Sequence, residues 1–441
     1  MKELLLKQNY HWTGKSFNTG VKREICSRIV SSMQTRHIKA ITGVRRCGKS
    51  YLFRQIIQYL IKKNTPAGNI LQINFEDPFF ISHRDTPDII EKLFKEYCIL
   101  KNPQGKIYLF LDEIQNISGW QFWVRSLYDS NEEAGIFITG SNSDMLSSDL
   151  ATHLTGRVIP FEVFPFSYRE YFSGMERSGL YIPEDRNAED LHQKLFGNKN
   201  ELIHNLEKIF RTGLFPETVF LDDEELIKNI LLQYFQGIIF KDIIPRFEVR
   251  NTKIIEELAY YMATNFTSLF SYRKIAESLG TDGNTIKEYI SMLEKSYLFF
   301  AADYYEYSLQ KQFRRNRKPY IIDCGMRSAV SFTFSDDTGK LAENSIFMTL
   351  RRKYERVYYW QDDRTHKEID FIIKDKNRLI AINSSYTDTI PAREFDAFTA
   401  FRQYARTDRN IIISRDTFIK QKAGDIEIEV IPFWVFAFME I

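Results

Sequence analysis

An α/β fold built on a parallel sheet is predicted by three features of this 441-residue chain. Short apolar runs alternate with helical patterns from about residue 15 to residue 175, the order that generates strand, helix, strand units. Ile107-Tyr108-Leu109-Phe110-Leu111 is apolar without alternation, which suits a strand buried on both faces. Ile38-Lys39-Ala40-Ile41-Thr42 leads into Gly43-Val44-Arg45-Arg46-Cys47-Gly48-Lys49-Ser50 and then into a helical pattern carrying Leu52, Phe53, Ile56, Ile57 and Leu60.

Taken in order, the chain begins with a helical lead-in over about residues 15 to 35, followed by the strand at Ile38. The G-x-x-x-x-G-K-S spacing after that strand has a chemical reason. Gly43 and Gly48 let backbone amides turn inward toward phosphate oxygens, and the helix that follows points its positive end at the same place. Lys49 then neutralises the β and γ phosphates and the Ser50 hydroxyl holds Mg²⁺. An ordinary glycine turn is the competing reading of the eight residues in isolation. The strand before and the helix after favour ATP, with Gly43, Arg45, Arg46, Cys47, Gly48, Lys49, Ser50 and Tyr51 as the nucleotide-binding set. Cys47 is expected to have a lowered pKa there and to react with alkylating reagents.

Asn69 to Phe75 reads as the next strand, and the strand beginning at Ile107 ends on Asp112-Glu113. The carboxyl ends of parallel strands are where ligands bind, so Asp112 is the candidate Mg²⁺ ligand and Glu113 the candidate base for an attacking water. A surface carboxylate at a strand end is the alternative for Glu113. Trp120, Trp123, Val124, Leu127 and Tyr128 mark one helical face, with the tryptophans as packing residues. Gly135 to Asn142 is a further strand, whose Ser141 or Asn142 either senses the γ-phosphate and orients water or caps a helix.

Composition excludes some partners. Sixty basic and 58 acidic residues leave a formal charge of +2, so no global field draws the chain to nucleic acid or acidic membranes. No apolar run reaches the length of a membrane span, and Met1 to Gln8 is too short and polar for a signal peptide, so a cytoplasmic location and no membrane partner are expected. Cys26, Cys47, Cys98 and Cys324 form no C-x-x-C pair and read as reduced thiols. The seven histidines show no metal-ligand spacing.

Gly43 to Ser50, Leu109 to Glu113, Thr139 to Asn142, Leu154 to Arg157 and Phe164 to Tyr171 together resemble the bacterial and archaeal AAA-type ATPases whose C-terminal half is a domain of unknown function. The likeness continues at Thr212 to Glu217, Phe240 to Ile243 and Ile321 to Met326, and so spans nearly the whole chain. The resemblance implies that Arg157 is an arginine finger, acting in its own chain or across the interface of a homo-oligomer. Read without it, Arg157 is equally well a solvated arginine after a glycine turn.

The expected organisation is an ATPase core over residues 15–175, a helical lid or connector over 176–250, a winged-helix-like unit over 251–315 and a nuclease-like domain over 316–441. In the third, Ser271 to Gly280 and Thr281 onward give two helices at helix-turn-helix spacing. The outward residues Lys287, Glu288, Ser291, Glu294 and Lys295 are of mixed charge, which favours a structural or protein-contact role over sequence reading. Lys311 to Lys318 carries five cations in eight residues, a solvated loop or else a phosphate contact.

The fourth resembles a restriction-endonuclease-like core, with Glu343 and the strand Glu368-Ile369-Asp370 in the first two positions of its metal site. Asn383 and Ser385 then stand where an acid and a lysine are required. Losing a metal ligand and the water-activating cation together is expected to abolish cleavage. Two function classes follow. One is an ATPase switch or motor acting on DNA or a protein. The other is a nucleic-acid-binding protein, a residual nuclease scaffold, for which ATP is a regulatory ligand. A phosphotransferase is a weaker third.

Overall fold

The structure is a computed structural model that describes residues 1–143, 154–174, 180–331 and 337–441. The boundary expected between residues 175 and 176 lies outside the described residues. The chain divides into two compact units, one of residues 1–164 with 295–297, the other of residues 165–294 and 298–441.

The first unit is a five-stranded sheet in the order β2-β3-β4-β1-β5, with every pairing parallel. Its strands are β1 (Ile38–Thr42), β2 (Ile70–Asn74), β3 (Ile107–Asp112), β4 (Ala134–Gly140) and β5 (Val158–Glu162). Parallel strands require crossovers, which are supplied by α3 (Lys49–Lys62) between β1 and β2, α4 (Asp88–Lys101) between β2 and β3, and α5 (Trp120–Ser130) between β3 and β4. Helices on the sheet explain the unbroken apolar runs: β1 and β4 are buried throughout. Trp120 lies in the core, while Trp123 packs against Phe94 and donates its Nε1–H to Glu91 at 2.6 Å.

The lead-in contains two helices, α1 (Lys2–Gln8) and α2 (Ile25–Ser32), the first of them earlier than the pattern indicated. The residues just after α1 protect an edge. β2 is an outer strand, and its free backbone groups are met by side chains rather than by another strand. Asn9 Oδ1 accepts from the Gln72 amide at 2.6 Å and Asn9 Nδ2 donates to the Gln72 carbonyl at 2.9 Å. Gln8 Oε1 accepts from the Asn74 amide, and Trp12 Nε1–H donates to the Ile70 carbonyl at 2.8 Å.

The second unit carries an eight-stranded mixed sheet in the order β12-β13-β11-β10-β9-β8-β6-β7. Its strands are β6 (Phe299–Tyr304), β7 (Lys318–Ile321), β8 (Tyr358–Gln361), β9 (Glu368–Asp375), β10 (Arg378–Ser385), β11 (Arg409–Ser414), β12 (Ile419–Ala423) and β13 (Ile426–Pro432). Helices Tyr272–Leu279 and Gly283–Lys295 precede β6 as the spacing indicated. β6 then pairs antiparallel with β7 and parallel with β8, so the sheet crosses the boundary expected at 315. Helices Ala188–Leu195, Lys199–Thr212 and Glu224–Gly237 make up the region before them.

Two sequence motifs meet inside this unit. Asp323 caps the helix Cys324–Val330 by accepting from the Met326 amide, and its other oxygen accepts from the Leu214 amide at 2.7 Å. Gly213 is required there: a Cβ would stand 2.1 Å from Asp323 Oδ1, and the backbone φ is +75°. Gly325 faces the same place, where a Cβ would stand 2.4 Å from the Gly213 nitrogen.

Candidate functional site

Thr42, Asp112 and Gly140 end three adjacent strands on the same edge of the first sheet, and the candidate residues follow them. The loop after β1 is tightly wound. A Cβ on Gly43 would lie 2.0 Å from the Val163 carbonyl oxygen, and Gly48 has φ +99° before α3 begins at Lys49. A residue without motif spacing secures it. Arg23, buried, donates to the Cys47 carbonyl at 2.6 Å and to the Phe164 carbonyl at 2.7 Å.

Lys49 is 5% exposed and turned into the loop. Its Nζ donates to the Gly43 carbonyl at 3.0 Å and pairs with Glu113 Oε1 at 3.2 Å. Burial would strip its proton, but the Glu113 carboxylate reverses this and holds the ammonium above its ordinary value. Burial likewise pushes Glu113 up, and Lys49 with the Gln115 amide overcomes it, leaving Glu113 below the usual carboxylate range. Glu113 sits at φ +52°, a conformation that strains a side-chain-bearing residue and that its surroundings hold in place.

Asp112 differs from its neighbour. It is 1% exposed, and burial, then the Glu113 charge, pushes its carboxyl up to about 6, with the Ser50 and Thr139 hydroxyls opposing. Thr139 Oγ1 donates to Asp112 Oδ1 at 2.5 Å and accepts from the Glu113 amide at 2.8 Å, so one hydroxyl holds both acids. Asp112 Oδ2 has no hydrogen-bond partner among the described residues. A buried carboxylate oxygen left open beside a serine hydroxyl is a donor set that fits a hard divalent cation such as Mg²⁺. Asp112 and Ser50 are the residues that would hold it.

The other expected residues fall out as follows. Ser141 and Asn142 are buried just past the end of β4, and whether they cap a helix rests on residues 144–153, outside the described ones. Arg45 pairs with Glu76 at 2.9 Å, Arg46 is exposed at φ +70°, and Tyr51 is exposed on the first turn of α3 with Arg54 over its ring. Cys47 is corrected: it is fully buried, and burial outweighs Lys49 and Arg23 to push the thiol up, so it is not a reactive thiol in this fold.

Arg157 is not brought to the loop. It precedes β5, whose first residue pairs with Ile38 at the start of β1, whereas the loop follows Thr42 at the other end. That separation is ~13 Å of strand. Its guanidinium pairs with Asp129 at 3.1 Å. The reading of Arg157 as a finger for its own chain's nucleotide is therefore corrected by strand direction. Thr139, Gln115 and Arg23 are the contributors that sequence reading missed. Only Thr139 carried a signal, as the first residue of the Thr139 to Asn142 strand end that contributes to the family resemblance.

In the second unit the acidic positions are assembled, with an unexpected centre. Lys318, the first residue of β7, places Nζ 3.2 Å from Glu343 Oε1 and 3.2 Å from Asp370 Oδ1 and pairs with Glu368 as well. Tyr320 donates to Glu343 at 2.9 Å. Asn383 donates to Glu394 at 3.0 Å and accepts from the Asp370 amide. The expectation that the site lacks a cation is corrected: a different strand delivers one, and it lies on the carboxylates themselves. The basic run is also dissolved. Arg315 pairs with Asp363, Arg317 with Glu294 and Asp303, and Lys318 with the acids just described, leaving Lys311 and Arg314 without an ion pair among the described residues. Glu294, expected to face outward, is instead held by Arg317.

Comparison with known proteins adds family to geometry. A family model described as an AAA domain matches residues 35–172. Two domains of unknown function, DUF8612 and DUF4143, match residues 203–337 and 338–436. The uncharacterized protein MJ1544 of Methanocaldococcus jannaschii is 32% identical over 414 residues, covering 90% of this chain and 87% of its own. An uncharacterized protein of Haemophilus influenzae is 29% identical over 414 residues, covering 92% and 96%. Among solved structures, a Walker-type ATPase of Pyrococcus abyssi aligns over 70% of this chain and 95% of its own, at 16% identity and a TM-score of 0.46.

Proposed function

We propose, from the premise that the chain belongs to the family of AAA-domain proteins carrying a C-terminal DUF4143 domain, that it is a Mg²⁺-dependent ATPase whose turnover switches or drives a macromolecular partner. The observation that carries this reading is the convergence of Lys49, Asp112 and Glu113 at the carboxyl edge of one parallel sheet. The loop amides cradle the phosphates, and Lys49 leaves Glu113 to follow the greater negative charge of the β and γ phosphates. Glu113, released from that pair, turns to the attacking water and accepts its proton. Thr139 keeps the two acids in register while this happens. Mg²⁺ held by Asp112 and Ser50 would neutralise charge on the phosphate oxygens.

The Lys49–Glu113 pair supports a two-state device, because the candidate base is paired with the same cation that would bind the phosphates. Arg157 serves as an arginine finger only toward the nucleotide of a second copy, which makes activity dependent on assembly. The partner is DNA or a protein, and the protein acts in the cytoplasm, where ATP is available. The test is ATP turnover with Glu113→Gln and Lys49→Ala, with and without single- and double-stranded DNA. Glu113→Gln retains nucleotide and loses at least ~100-fold in turnover, the range general-base loss produces. Unchanged turnover in that variant overturns the assignment.

A further inference from the structure

At the opposite edge of the same sheet, the start of β1 buries a cation with no anion beside it. Lys39 is 2% exposed, and the hydrogen bond of its Nζ goes to the Thr35 carbonyl at 2.6 Å. No carboxylate of the described residues pairs with it, and the charged neighbour it feels is Lys106. Nζ also lies 5.9 Å from the centroid of the Phe137 ring, and of the three donors of an ammonium two have no hydrogen-bond acceptor among the described residues. A buried charge without a counter-charge costs several kcal/mol, and proteins avoid it unless a partner is supplied.

Lys39 lines a cavity of about 180 Å³ walled by β1, β3, β4 and residues 33–36. Lys106 and Arg36 stand at its exposed rim, Lys106 against the Tyr108 ring and Arg36 over the Tyr128 ring. Arg36 also donates to the Tyr128 carbonyl, and Glu132 is the one carboxylate among the lining residues, so three cations and a single acid line the cavity. The wall is built with little slack: a Cβ on Gly135 would lie 2.7 Å from the Tyr108 ring.

We propose that this cavity is a binding site for a phosphate-type oxyanion, held by Lys39 from the floor and by Lys106 and Arg36 from the rim. The anion takes the two open donors of Lys39 and supplies the missing counter-charge. Arg36 and Lys106 add charge-assisted contacts at the mouth, and the size of the cavity admits a small anion or the terminal group of a larger one. Burial, with Lys106 adding repulsion, pushes the Lys39 ammonium down to about 8, the direction expected of a buried charge with no carboxylate beside it. The site is distinct from the loop at Lys49, since β1 separates Lys39 from Gly43 along the strand.

The test uses the full chain carrying Lys49→Ala, so that phosphate bound at the loop does not contribute. Inorganic phosphate and adenosine monophosphate are titrated separately, against chloride of equal ionic strength, with melting temperature as the readout. At about a hundredfold excess over Kd the expected rise is roughly 5–10 °C. Response to inorganic phosphate identifies a free oxyanion, and response only to the monophosphate identifies a phosphate ester. Adding Lys39→Met abolishes the rise and makes the phosphate-free protein melt higher, because an unsupported charge is gone. Lys106→Glu, an exposed change that does not threaten folding, raises the phosphate concentration needed by at least about tenfold. No rise with either probe, or an equal rise with Lys106→Glu, overturns the proposal.

Discussion

Replacing Lys318 with Met removes the cation from a site where three carboxylates converge on a side chain only 6% exposed. Deleting one partner of a buried ion pair costs ~3–5 kcal/mol because the other charge is left uncompensated. Here three charges are left, which places the loss near ~4 kcal/mol at pH 8 and a fall in melting temperature of roughly 8–16 °C. Protons can take over part of the role of the ammonium. Burial, with Asp370 close by, already pushes Glu343 and Glu368 up, and losing Lys318 pushes them further. The folded variant then binds more protons than its unfolded chain, so its stability rises as pH falls. The deficit at pH 5.5 is therefore about half that at pH 8. Calorimetry at both pH values measures this, and adding Glu343→Gln to Lys318→Met restores part of the loss at pH 8. A fall under about 2 °C at pH 8, or a larger deficit at pH 5.5, refutes the view that Lys318 is the counter-charge of this cluster.

His11 supplies a pH prediction for the first unit. Burial pushes its imidazole down to about 4 against an ordinary value of 6.5, so between these values the unfolded chain binds the more protons and stability is lost as the pH is lowered, by up to ~3 kcal/mol. Urea midpoints at pH 7 and pH 4.5 should converge in His11→Gln relative to the parent. Thr139→Val removes the hydroxyl shared by Asp112 and Glu113 at nearly constant volume. Turnover should drop by about tenfold or more while nucleotide affinity changes little, because the acids lose alignment and the loop does not. Equal losses in both quantities would assign Thr139 to the loop instead.

Much of the candidate site was legible because its residues are contiguous in the chain. Gly43 to Ser50 form one loop running into the first turn of α3, so their order along the chain is also their order in space. Asp112 and Glu113 were legible because a parallel strand buried on both faces must expose its carboxyl end. The same logic failed for Arg157, since a residue before a strand and a residue after it lie at opposite edges of a sheet, and strand order is not written locally. Cys47 failed because nearby charge was legible and complete burial was not.

By itself, then, the amino-acid sequence determined the parallel core, the glycine loop between β1 and α3 and the pair of acids ending β3, each of which is written in a short stretch of chain. Tertiary structure alone decided the rest. It set Thr139 between the acids, brought Gly213 against Asp323, turned three cations of a basic run onto carboxylates, and delivered Lys318 from β7 to acids on β9 and the helix Thr338–Arg351. These contacts join residues separated by tens to over a hundred positions. Their geometry follows from sheet order and strand direction, which arise from packing the whole chain rather than from any segment of it.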